Sequence, residues 1–176
     1  MSLLTRIFGP SGIFTRKDDR AHIRPLWHRI VAIAREPQWY AEYGIADTVP
    51  GRFDAITLVL SLVLLRMERE QALIEPSVRL TELFVDDMDG QLRESGVGDI
   101  VVGKRIGRLM SVLGGRLGAL RDSLPRGEAA VAEVVTRNVT LTEGSDPLPL
   151  ARAAMAFAEK LGTLPAETIL AADIAR

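Results

Sequence analysis

The chain has no cysteine and only two histidines, His22 and His28. The first absence removes disulfides, thiol nucleophiles and thiolate metal sites, and it fits a reducing compartment. The second argues against a catalytic zinc centre, which draws on two or three imidazoles. A surplus of one charge is also missing: 22 Lys and Arg stand against 23 Asp and Glu in 176 residues. No whole-chain field therefore draws in nucleic acid or anionic lipid, and no nucleic-acid partner is expected. Long apolar runs are scarce too. The longest, around Ile56 to Leu65, is about half of the ~20 residues needed to cross a bilayer. At the N-terminus the apolar residues are cut by Arg6, so no secretory signal is read. These absences point to a cytoplasmic protein with no cofactor, no metal and no catalytic residue.

What is present is apolar periodicity. At 47% hydrophobic residues, the length supports one full core and not two. Apolar side chains recur at spacings of three and four, and no stretch alternates with period two, so the expected fold is an all-α, single-domain helical bundle. Residues 1–20 read as a flexible tail and residues 21–176 as the folded domain. The segment Ala55 to Leu65 is apolar on every side except at Thr57 and Ser61. A helix of that kind sits in the middle of a bundle, so the others are expected to wrap around a buried central helix at about residues 50–70.

The remaining helices are read from their faces and their stops. Leu26, Ile30, Ile33 and Ala34 mark the first, which Pro37 ends. Gln38 to Tyr43 adds a turn before Gly44. Asp47 or Thr48 caps the central helix, with Pro50 in its first turn. A break at Ala72 to Pro76 precedes an amphipathic helix over Ser77 to Ser95, for which Gly96 is placed as a left-handed cap. Asp99 caps a long helix to about Leu120. Glu128 to Val139, Leu150 to Leu161 and a short helix opened by Pro165 follow, with Glu143 to Pro149 the most hinge-like stretch.

Three features invite a functional reading. Asp86, Asp87 and Asp89 resemble the magnesium-binding aspartates of helical isoprenoid enzymes, but the three do not share a face and no second acidic motif opposes them. Asp87 instead falls beside the apolar sector, where a buried polar contact is expected. His28 lacks a nucleophile or carboxylate at a workable spacing and reads as a partly buried structural histidine. On the long helix, Lys104, Arg105, Arg108 and Arg116 gather on one side, which is either a solvated face or an anion-binding one. Gly103, Gly107, Gly114 and Gly118 line up beside them. Four helical glycines forfeit on the order of 3 to 4 kcal/mol, so a closely packed neighbour is expected: an internal helix first, or else a helix from a partner. Five of the nine aromatic residues (Trp27, Trp39, Tyr40, Tyr43, Phe53) fall between residues 27 and 53. Rings gathered at a turn form either a rigid corner or a binding surface.

The ordered set Trp27-His28, Pro37-Gln38-Trp39-Tyr40, Tyr43-Gly44, Asp47-Thr48, Gly51-Arg52-Phe53-Asp54, Leu83-Phe84, Asp87-Met88-Asp89, Leu92-Arg93-Glu94, Gly96-Val97-Gly98-Asp99 and Gly103-Lys104 resembles the ubiquinol-cytochrome c chaperone family, in its short alphaproteobacterial form. The resemblance spans about residues 22 to 160. It implies a non-catalytic, all-α assembly factor that binds newly made cytochrome b during assembly of ubiquinol-cytochrome c reductase, often together with a small helical partner. The family positions matched are Trp39, Tyr40, Tyr43, Asp47, Thr48, Phe53, Asp87, Met88, Gly96, Gly98 and Lys104. With Gly103 and Gly107 of the glycine stripe, Trp39, Tyr40, Tyr43, Asp47, Thr48, Asp87 and Lys104 are the residues to test for client or partner binding. Residues 1–20 lack the long basic extension of the mitochondrial members, which counts against ribosome binding. Two competing readings stand beside this one: a peripheral membrane protein, attached at the inner face of the cytoplasmic membrane through Leu3, Leu4, Ile7, Phe8 and the basic face, and the magnesium-dependent enzyme.

Overall fold

The computed structural model describes residues 20–94 and 99–176, with the side chains of residues 91–105 outside the described set. Its helices are α1 (Arg24–Ala34), α2 (Gln38–Ala41), α3 (Val49–Met67), α4 (Gln71–Glu94), α5 (Asp99–Ser123), α6 (Glu128–Asn138), α7 (Leu148–Thr163) and α8 (Ala166–Leu170), with a 3-10 turn at Leu124–Arg126. The all-α architecture is the expected one. Among the described residues, the only β-type pairing is an isolated antiparallel bridge between Ile45 and Leu141.

Helix α3 is the axis of the bundle, packed against α1, α4, α5 and α7. Its start is built from the expected residues: Thr48 is the N-cap, its hydroxyl accepting from the Gly51 amide at 3.3 Å, and Pro50 lies in the first turn. From Thr57 to Leu65 every residue is buried. The two hydroxyls on this stretch are satisfied within the helix, Thr57 donating to the Phe53 carbonyl at 3.1 Å and Ser61 to the Thr57 carbonyl at 2.6 Å. Such back-bonding lets a polar atom sit in an apolar centre without an orphaned donor. At its far end Arg66 donates to the carbonyls of Leu161 and Leu164, at 3.1 and 2.8 Å, which caps the C-terminus of α7.

Four expectations are corrected. Helix α4 begins at Gln71 and runs through Pro76 without the expected break. The proline costs one ladder bond; the Ser77 hydroxyl donates to the Ile74 carbonyl at 2.7 Å beside it, and α4 buries Leu73, Pro76 and Ser77 against the bundle. Asp87 is exposed, not set against the core, because Leu83, Phe84 and Met88 fill the inward sector. His28 is exposed as well, on the side of α1 away from Leu26, Trp27 and Ile30. Arg116 leaves the basic face altogether and is 2% exposed. Gly96, expected to cap α4, lies outside the described residues. Part of the loop before α7 is pinned: the Ala46 amide donates to the Thr140 carbonyl at 2.9 Å, and the Thr142 amide to the Gly44 carbonyl at 2.9 Å.

Arg116 of α5 is the polar centre of this packing. Its guanidinium donates to the Asp54 carboxylate at 2.9 Å, to the Asp54 carbonyl at 3.0 Å, to the Thr57 hydroxyl and to the Asn138 carbonyl at the end of α6. The second Asp54 oxygen accepts from the amide and hydroxyl of Thr140, at 2.9 and 2.7 Å. A buried charge is tolerable when it is paired and hydrogen-bonded; both terminal nitrogens of Arg116 are so engaged, while its buried Nε has no partner. Here one ion pair ties α3, α5, the end of α6 and the following loop together.

Candidate partner-binding groove

The aromatic corner is assembled by two glycines. Gly44 has φ +77°, a conformation that side-chain-bearing residues rarely adopt, and a Cβ there would meet Ser145 at 2.8 Å. A Cβ on Gly51 would lie 1.9 Å from the Ala46 carbonyl oxygen. The loop between them therefore folds tightly over the start of α3. Trp39 is completely buried and donates its indole N–H to the Ile33 carbonyl at 2.8 Å. Tyr40 donates its hydroxyl to the Ala34 carbonyl at 2.7 Å. Burial raises the Tyr40 phenol above its ordinary value, with Asp47 adding to the effect.

Between this corner and helices α3, α4 and α5 opens a groove of about 1160 Å³. Its apolar lining is Tyr40 and Pro37 on one wall, Phe53 and Ile56 of α3, Met88 of α4 and Leu109 of α5. Val49 forms the lip and is 84% exposed, the one large apolar side chain so exposed among the described residues. Arg35, Asp47 and Arg52 stand on the rim. Asp47 and Arg52 pair at 2.6 Å, and this hydrogen bond holds the Asp47 carboxyl below its ordinary range.

Of the residues singled out in the sequence, Tyr40 and Asp47 line the groove, and Thr48 serves as the cap beside it. Trp39 is corrected: its ring is core, and no partner can reach it in this packing. Tyr43 is half-buried on the other side of the turn, edge-on to Trp39 at 5.8 Å. Asp87 and Gly107 are exposed neighbours of groove residues and do not line it. Gly103 and Lys104 lie on the α5 backbone among the residues whose side chains are not described. The close internal packing expected along the α5 glycines is absent at Gly107 and Gly118, where an added Cβ would meet nothing within 4 Å. Phe53 belongs to the aromatic cluster read from the sequence, whereas Ile56, Met88 and Leu109 are not among the candidate binding residues. Phe53 and Met88 stand in the quoted motifs, which was a usable signal. Ile56 and Leu109 look like ordinary core positions in sequence, and only the tertiary packing leaves them half open.

Among the described residues there is no cluster of histidine, aspartate and glutamate that could hold a metal ion, and no helix is long and apolar enough to cross a membrane. Of the aspartates on α4, Asp86 is engaged by Arg20 at 2.6 Å. What the geometry offers is an apolar concavity with a charged rim, the form taken by sites that receive a segment of another protein.

Comparison with known proteins identifies the family. The family model for ubiquinol-cytochrome C chaperones matches residues 41–175. The chain belongs to the ubiquinol-cytochrome C chaperone family. Among solved structures it is similar to the crystal structure of the Cbp3 homolog from Brucella abortus, with 32% sequence identity and a TM-score of 0.73, covering 91% of this chain and 92% of that one. A search of curated proteins finds no match. The family match takes in the groove residues Asp47, Phe53, Ile56, Met88 and Leu109.

Proposed function

We propose that the chain is an assembly factor that holds newly made cytochrome b before it joins ubiquinol-cytochrome c reductase, and that the groove receives an apolar helical segment of this client. The groove itself is the observation that carries the reading: apolar side chains from three long helices and the α2 turn converge on one open concavity with Val49 exposed at its lip. Its volume of about 1160 Å³ matches roughly two to three turns of a helix about 10 Å wide. A membrane protein's segment waiting outside the bilayer needs such a surface, since its side chains otherwise face water.

The test uses Val49→Asp combined with Ile56→Asp, both at positions open to the groove. Capture of cytochrome b from membranes of the native host by the purified variant is expected to fall at least tenfold, about 1.4 kcal/mol, with the variant still folded by circular dichroism. Undiminished capture by the folded variant would exclude the groove as the client site.

A further inference from the structure

The turn that walls the groove has a second side. Tyr40 faces the groove, whereas Glu36, Trp39 and Tyr43 face the C-terminal segment. Over the two rings sits the Arg176 guanidinium, 5.2 Å from the centre of Trp39 and 5.1 Å from that of Tyr43. Its Nε donates to the Glu36 carboxylate at 3.0 Å, and the side chain is only 14% exposed. The segment leading to it is secured by the buried Ile174, whose carbonyl accepts from Arg29 at 2.7 Å. Two aromatic faces and one carboxylate suit a planar, weakly hydrated cation better than a compact ammonium, because the same group stacks and donates in its own plane.

We propose that Glu36, Trp39 and Tyr43 form a guanidinium-binding site, filled here by the chain's own Arg176, and that its occupancy holds the α2 wall of the groove in its client-binding position. The second half rests on the groove reading above. Helix α2 has four residues, too few to hold a shape alone. Its position is set by what it touches, which is Trp39 inward, Tyr40 on Ala34, and Arg176 from behind. With the site empty, the Tyr40 wall loses its backing.

The experiment uses the full chain as wild type, Arg176→Ala and Arg176→Lys, with a labelled Leu–Ala helical peptide of about 20 residues and lysine ends as probe. Arg176→Ala is expected to weaken peptide binding about tenfold, and Arg176→Lys to fall short of wild type, since the planar stack is lost. Millimolar methylguanidinium is expected to restore Arg176→Ala, while methylammonium at the same concentration does not. Unchanged binding by Arg176→Ala, or equal rescue by both cations, would overturn the proposal. If wild type itself ignores the peptide, the groove reading has failed. The guanidinium site is then judged by tryptophan fluorescence of Arg176→Ala, expected to saturate with methylguanidinium and not with methylammonium; no saturable response would refute it.

Discussion

The corner at residues 35–54 and the helix α5 both carry glycines and arginines, yet the two use them in opposite ways. At the corner, Gly44 and Gly51 are demanded by their neighbours: a Cβ would collide with Ser145 in one case and with the Ala46 carbonyl in the other. On α5, Gly107, Gly115 and Gly118 have nothing within 4 Å of where a Cβ would stand. The arginines divide similarly. Arg52 is an exposed rim residue with a single acidic partner, whereas Arg116 is buried and bonded to α3 and to the end of α6. A residue type announces a possibility, and the packing around it decides whether that possibility is structural.

The sharpest way to break this contrast is through Arg116. Arg116→Ala leaves the Asp54 carboxylate inside without its cation and is expected to destabilise the protein by about 3 kcal/mol, measured by chemical denaturation, with Arg116→Met costing less. A loss within 1 kcal/mol, on the order of a surface pair, would return Arg116 to the solvated face. Next comes Gly51→Ala, expected to cost about 2 to 3 kcal/mol, because the Ala46 backbone cannot give way cheaply. The smallest effect has the opposite sign. Gly115→Ala is expected to stabilise by about 0.8 to 1 kcal/mol, the helix propensity it recovers with no clash to oppose it. A destabilised Gly115→Ala would mean that a close neighbour packs there after all.

The helices were legible because apolar spacing, Thr48, Pro37, Pro50 and Pro165 are local signals. So was the central position of α3, which follows from its having no polar face. Pro76 misled, since a proline's cost can be offset by burial that local sequence does not reveal, here that of Leu73, Pro76 and Ser77 against the bundle. Arg116 misled for a related reason: on a helical wheel it joins Lys104, Arg105 and Arg108, and only the arrival of Asp54, 62 residues away, draws it inward. The bridge from Ile45 to Leu141 is too short to leave an alternating pattern. Of the site, the aromatic corner was visible in sequence, but which ring is core and which is wall was not. Trp39 and Tyr40 are adjacent in a short helical turn and so point to different sides, one into the protein and one toward the groove.

The measurement that tests the central claim most directly is site-specific photo-crosslinking in the native host, with the reactive side chain placed at Ile56 in the groove and, separately, at Gly115 on the open face of α5. The groove account predicts a covalent adduct with cytochrome b from position 56 and none from position 115. An adduct from position 115 with none from position 56 would contradict it, and would move the client to the glycine face of α5.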